Sequence, residues 1–97
     1  MPREIVWLPA AVLYLVRLRD FIREKNLAAV IRAASRIKEA VQILVENPGV
    51  GRPVDEALPF RDLIIPFGSG NYVLRYREEG AHIVIVRIRH NREDSFL

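Results

Sequence analysis

Apolar residues change their spacing twice along the chain, and each change marks a change of element. Residues 3–8 form a short apolar segment containing Trp7 and stopping at Pro9, which cannot donate to a strand ladder but suits the first turn of a helix. This segment is predicted as a first strand at a sheet edge. Over residues 10–25, Ala11, Leu15, Leu18 and Ile22, flanked by Tyr14 and Phe21, recur at helical spacing and make a stripe that should face a sheet. Val12, Leu13 and Val16 fall on the far side of the same helix beside Asp20 and Arg23, as a partner surface or as tolerated surface side chains. Asn26 suits the cap of a second helix over residues 27–45, where Val30, Ala33, Ala34, Ile37, Ala40, Val41 and Leu44 share one side. So short a connection predicts an antiparallel helical hairpin. Asn47-Pro48-Gly49 should end it, with glycine supplying a left-handed cap, and residues 50–59 read as a long loop.

Beyond that loop the period falls to two. Residues 62–67 read as a strand with Pro66 near its end, and Gly68-Ser69-Gly70-Asn71 turns into a hairpin made of residues 72–77 and 82–90. A three-residue loop at Glu78-Glu79-Gly80 pairs Arg77 with Ala81 and Arg75 with Ile83. One face then carries Val73, Arg75, Arg77, Ile83, Ile85, Arg87 and Arg89; the other carries Tyr72, Leu74, Tyr76, His82, Val84, Val86, Ile88 and His90. A two-residue loop at Glu79-Gly80 would scatter arginine over both faces and leave neither fit for a core, so the first register is preferred. The predicted fold class is α+β: an N-terminal strand and a helical hairpin packed on a small antiparallel β-sheet, in the order β-α-α-β-β-β. A chain of 97 residues is expected to make one domain spanning residues 1–97.

Composition narrows the classes. A hydrophobic fraction of 51% with 28% charged residues suits a soluble globular protein, and no apolar run approaches the roughly 20 residues that span a bilayer. The first residues lack the apolar block of a signal peptide and cysteine is absent, so the expected location is cytoplasmic. The net charge is +3, and of 15 basic residues only Lys25 and Lys38 are lysines. Guanidinium groups suit carboxylate and phosphate alike and are less costly to desolvate than ammonium, so the bias fits an acidic interface or a nucleic-acid surface. Arg3, Arg17, Arg19, Arg23 and Arg32 read as solvated charges on the first third of the chain.

Little in the sequence points to catalysis. His82 and His90 stand eight residues apart on one strand, too far for one metal ion, and no ligand cluster accompanies them. Ser35, Ser69 and Ser95 lie in no nucleophile motif, and Gly68-Ser69-Gly70 lacks the context of a phosphate loop. Neither a metal nor any other cofactor is expected. What remains is the arginine face, extended by Arg92. It can hold phosphates, receive acidic side chains of a protein, or pair internally with Glu78, Glu79, Glu93 and Asp94.

The strings Tyr72-Val73-Leu74-Arg75-Tyr76-Arg77 and Val86-Arg87-Ile88-Arg89-His90-Asn91-Arg92-Glu93 resemble the RelE/ParE superfamily of bacterial toxins from toxin-antitoxin pairs. Trp7-Leu8-Pro9-Ala10-Ala11, Asn47-Pro48 with Gly51-Arg52-Pro53, and Leu63-Ile64-Ile65-Pro66-Phe67-Gly68 extend the resemblance over almost the whole chain. RelE-like members cleave messenger RNA on the ribosome with arginine and lysine on the sheet face and usually a C-terminal tyrosine. Here Val73 stands where that pattern has arginine, no lysine lies in the sheet segments, and no tyrosine follows Tyr76; Arg92 alone resembles a retained element. The Arg-His-Asn-Arg-Glu ending is similar to that of ParE-like members, which act on DNA gyrase. The resemblance thus implies a protein-binding inhibitor of gyrase, not an enzyme, with Arg75, Arg77, Arg87, Arg89, His90 and Arg92 as target-binding candidates. It also implies a ParD-like antitoxin that wraps the helical hairpin at Val12, Leu13, Val16, Arg19 and Arg23, a stripe that a second toxin copy would also fit. Direct, specific nucleic-acid binding is expected only through that antitoxin, and no membrane partner is expected.

Overall fold

A computed structural model describes residues 3–23, 26–68 and 70–91. Seven elements follow one another: β1 (Glu4–Trp7), α1 (Pro9–Arg23), α2 (Leu27–Glu46), β2 (Arg52–Pro53), β3 (Phe60–Phe67), β4 (Gly70–Glu79) and β5 (His82–His90). The helical hairpin covers one face of a five-stranded sheet of order β1-β5-β4-β3-β2. The α+β class stands, with two adjustments. The sheet is mixed, because β1 runs parallel to β5, and two residues of the expected loop add β2 beside β3.

Local chemistry accounts for the boundaries. Pro9 begins α1, where its missing N–H costs nothing, and Val12 N–H donates to Leu8 O at 3.0 Å to close the first turn. The Asn26 side chain accepts from Ala28 N–H at 2.8 Å, capping α2 as its sequence predicts. At the other end Asn47 N–H still reaches Ile43 O and Val50 N–H reaches Asn47 O, with Pro48 blocking further helix. Gly49 does not take the left-handed cap expected of it: among the described residues only Gly68 and Gly80 have positive φ. Gly80, at φ 59°, begins a two-residue turn between Glu79 and His82, the place where a type II′ hairpin needs glycine.

That turn overturns the predicted hairpin register. Tyr72 pairs with His90, Leu74 with Ile88 and Arg75 with Arg87, but Tyr76 pairs with Ile85, so Val86 is an extra residue in β5. The bulge switches which β5 positions face the helices. Ile83 and Ile85, expected among the arginines, lie buried in the core with Tyr76, whereas Val84 and His82 stand on the outer face. Beyond the bulge Ile88 and His90 face inward as predicted. Tyr72, Leu74, Tyr76, Ile83, Ile85 and Ile88 from the sheet meet Ala11 and Leu18 of α1 and Ala33, Ile37, Ala40 and Leu44 of α2. Each fully buried aliphatic side chain among them contributes about 1.5–3 kcal/mol by leaving water. The side chains of Phe21 and Ile22, also expected in the stripe, fall outside the described set.

Candidate functional site

The sheet's outer face carries no covering element among the described residues, and its cross-strand rows define its chemistry. One row runs Arg52, Asp62, Arg75, Arg87 across β2, β3, β4 and β5. Like charges directly opposite one another, as Arg75 and Arg87 are, repel; Asp62 relieves this from the other side. The Arg75 fork donates to it twice, Nε to Oδ1 at 2.9 Å and Nη2 to Oδ2 at 3.1 Å, with side chains 24% and 22% exposed. The Asp62 hydrogen bond raises the Arg75 pKa further above its already high ordinary value, against the opposing effect of burial.

Aliphatic and aromatic rows flank this charged one. On one side Phe60, Arg77, Val84 and Val6 lie across β3, β4, β5 and β1; on the other, Ile64 and Val73 lie beside Arg89. Val73 is only 8% exposed and Val84 5%, because neighbouring side chains close over them, while Ile64 is 45% exposed. Arg77 is engaged by Glu79 at 3.1 Å. The outer face therefore does gather Arg75, Arg77, Arg87 and Arg89, as the sequence suggested, although through a different register. His90 does not join them: it is buried on the helix side, edge-on to Tyr72 with ring centroids 5.2 Å apart. Arg92 lies outside the described residues.

The β2 end of this face is held by a tether that sequence reasoning did not foresee. Tyr76 points inward, and its hydroxyl donates to Pro48 O at 2.7 Å and accepts from Gly51 N–H at 2.9 Å. Arg61 adds a bond to Gly51 O at 2.8 Å. With residues 48–51 so secured, Arg52 is brought opposite Asp62. Burial raises the Tyr76 pKa above 10, the Gly51 hydrogen bond opposing it.

The second surface lies on the hairpin. An open groove of about 480 Å³ runs between α1 and α2, floored by Trp7, Leu18, Ala33 and Ile37 and walled by Leu15, Val16, Val30, Ala34 and Val41. Among the described residues Arg19 and Lys38 are its charged lining residues, both basic. Of the predicted antitoxin seat, Val16 and Arg19 belong to this groove. Val12, Leu13 and Arg23 are exposed on α1 outside it, Leu13 at 70%. The α2 wall was legible as Val30, Ala34 and Val41, part of a recurring stripe whose small residue keeps the cleft open. Trp7 was not, because a strand residue reaches a helix groove only through tertiary packing.

Among the described residues no group of three or more His, Asp or Glu could hold a metal ion, and no helix is long and apolar enough to cross a membrane.

Comparison with known proteins gives this architecture relatives. The chain is 37% identical over 81 residues to Toxin RelE1 of Caulobacter vibrioides, covering 77% of this chain and 85% of that one. It is 36% identical over 87 residues to Toxin RelE2 of the same organism, covering 90% and 93%. A solved structure, from the chromosomal ParDE toxin-antitoxin system of P. aeruginosa, superposes with a TM-score of 0.69 at 27% identity, over 89% of this chain and 92% of that one. The family described as ParE toxin of type II toxin-antitoxin system, parDE, matches residues 5–95, and the chain belongs to that family.

Proposed function

We propose that this toxin acts by binding a protein, DNA gyrase, through the outer face of its sheet, and that a ParD-like antitoxin neutralises it from the helical hairpin in the cytoplasm. The observation that carries the reading is Val73. At the β4 position where RelE-like nucleases have arginine, a valine lies closed over beside Ile64. Cleavage of RNA needs donors aimed at a charge developing on phosphate. An aliphatic pair offers none there, and it suits the dehydrated centre of a protein interface. The groove, apolar within and bordered by Arg19 and Lys38, fits an amphipathic antitoxin segment with acidic flanks.

The RelE names of the Caulobacter relatives favour a second reading, ribosome-dependent cleavage of messenger RNA. Purified toxin in a gyrase supercoiling assay, run beside a ribosome cleavage assay, separates the two. Inhibited supercoiling with intact message is expected, and replacing Arg87 and Arg89 together by alanine should weaken inhibition at least tenfold while far-UV circular dichroism stays unchanged. Cleaved message with unaffected supercoiling would overturn the proposal. Inactivity in both assays with tight antitoxin binding would make the chain a relative that has lost toxicity.

A further inference from the structure

We propose that Asp62 makes the outer face of the sheet reject the nucleic-acid backbone, leaving it to a protein partner that is apolar at its centre. The inference rests on the reading of that face as the target surface. Asp62 is an acid set between Arg52 and Arg75 in the one fully charged row of the face. Its two oxygens accept from Nε and Nη2 along one edge of the Arg75 guanidinium, at 2.9 and 3.1 Å, in a partly desolvated position where such a pair is little screened. A phosphodiester chain crossing the sheet would meet at mid-face a neutralised pair with a carboxylate where it needs a cation. Its charge repeats along its length, so it has no way to avoid that point. A protein surface can place apolar atoms beside that point, over exposed Ile64 on one side and half-buried Phe60 on the other. Selectivity then arises from what the face repels as much as from what it attracts. A purely structural role, relieving the repulsion between Arg75 and Arg87, would affect stability but not the choice of ligand.

Binding of a fluorescent oligouridylate by anisotropy, over a range of salt concentrations, tests this. Asp62→Asn keeps the size and one accepting oxygen but removes the charge and the second acceptor that Arg75 uses. It should tighten binding roughly tenfold at low salt, the size of one charge-assisted contact. It should also steepen the dependence of log affinity on log salt by about 0.7, the value of one added phosphate contact on a single strand. Both gains should vanish when Arg75→Ala is added. If Asp62→Asn fails to fold, as judged by circular dichroism, Asp62→Ser is measured in its place. An unchanged affinity and slope in the folded variant overturns the proposal, as does a gain that survives loss of Arg75. Gyrase inhibition by the unmodified toxin is read separately: its absence overturns the target reading, while the oligonucleotide result still decides the role of Asp62.

Discussion

Tyr76 shows how much one hydroxyl can position. Its ring fills the core beneath β4 while its oxygen, bonded to Pro48 and Gly51, secures the segment that leads into Arg52. Tyr76→Phe would keep the packing but strand Gly51 N–H and Pro48 O away from water, at a cost of about 1–3 kcal/mol in urea unfolding. Gly51→Ala should also destabilise, because its new Cβ would lie 2.6 Å from that hydroxyl. Stability should depend on alkaline pH with a definite sign. The folded pKa of Tyr76 is raised above the ordinary 10, so its contribution is complete below about pH 10 and is lost as pH climbs through the folded value. Denaturation curves on either side of pH 10 should show this loss in the parent, and a smaller one in Tyr76→Phe.

At the scale of elements, the bulge at Val86 decides the hairpin. With strict alternation, Ile83 and Ile85 share a face with Arg87 and Arg89, and one strand cannot bury the first pair while exposing the second. One unpaired residue resolves the conflict. Deleting Val86 restores alternation and forces either two isoleucines outward or two arginines inward. The deleted chain should therefore lose its cooperative thermal transition; a folded variant with a near-parental melting temperature would mean that the sheet absorbs the shift elsewhere. The conflict was visible in the sequence as a change of phase between Ile85 and Ile88. It was readable only by admitting a bulge, since each uninterrupted register looked regular over half the strand.

At the scale of the whole molecule, the two surfaces lie on opposite sides of one layer, with the sheet between them. A target can occupy the outer face while the hairpin groove takes a different partner. The groove takes in Val16 and Arg19 of the predicted seat and leaves Val12, Leu13 and Arg23 outside it. Val16→Asp would put a charge into its apolar wall and should weaken antitoxin binding by tenfold or more in calorimetry. Leu13→Asp, outside the groove, should change it by less than about threefold. Equal losses from both variants would place the antitoxin across the exposed face of α1 instead.

The sequence by itself determined every element but β2: where the period passes from 3.6 to two, where Pro9, Asn26, Pro48 and Gly80 start or stop them, and that four arginines belong to one side of a hairpin. These are local matters, settled by capping, turn chemistry and alternation within a few residues. Only the tertiary structure decided which residues keep company across long separations. It set β1 parallel to β5, turned Ile83 and Ile85 into the core, tied Tyr76 to Gly51 and Pro48, and clasped Arg75 to Asp62. The physical reason is that pairing between strands and burial beneath helices are chosen by the fit of the whole layer. A single unpaired residue can then reverse what alternation alone would dictate.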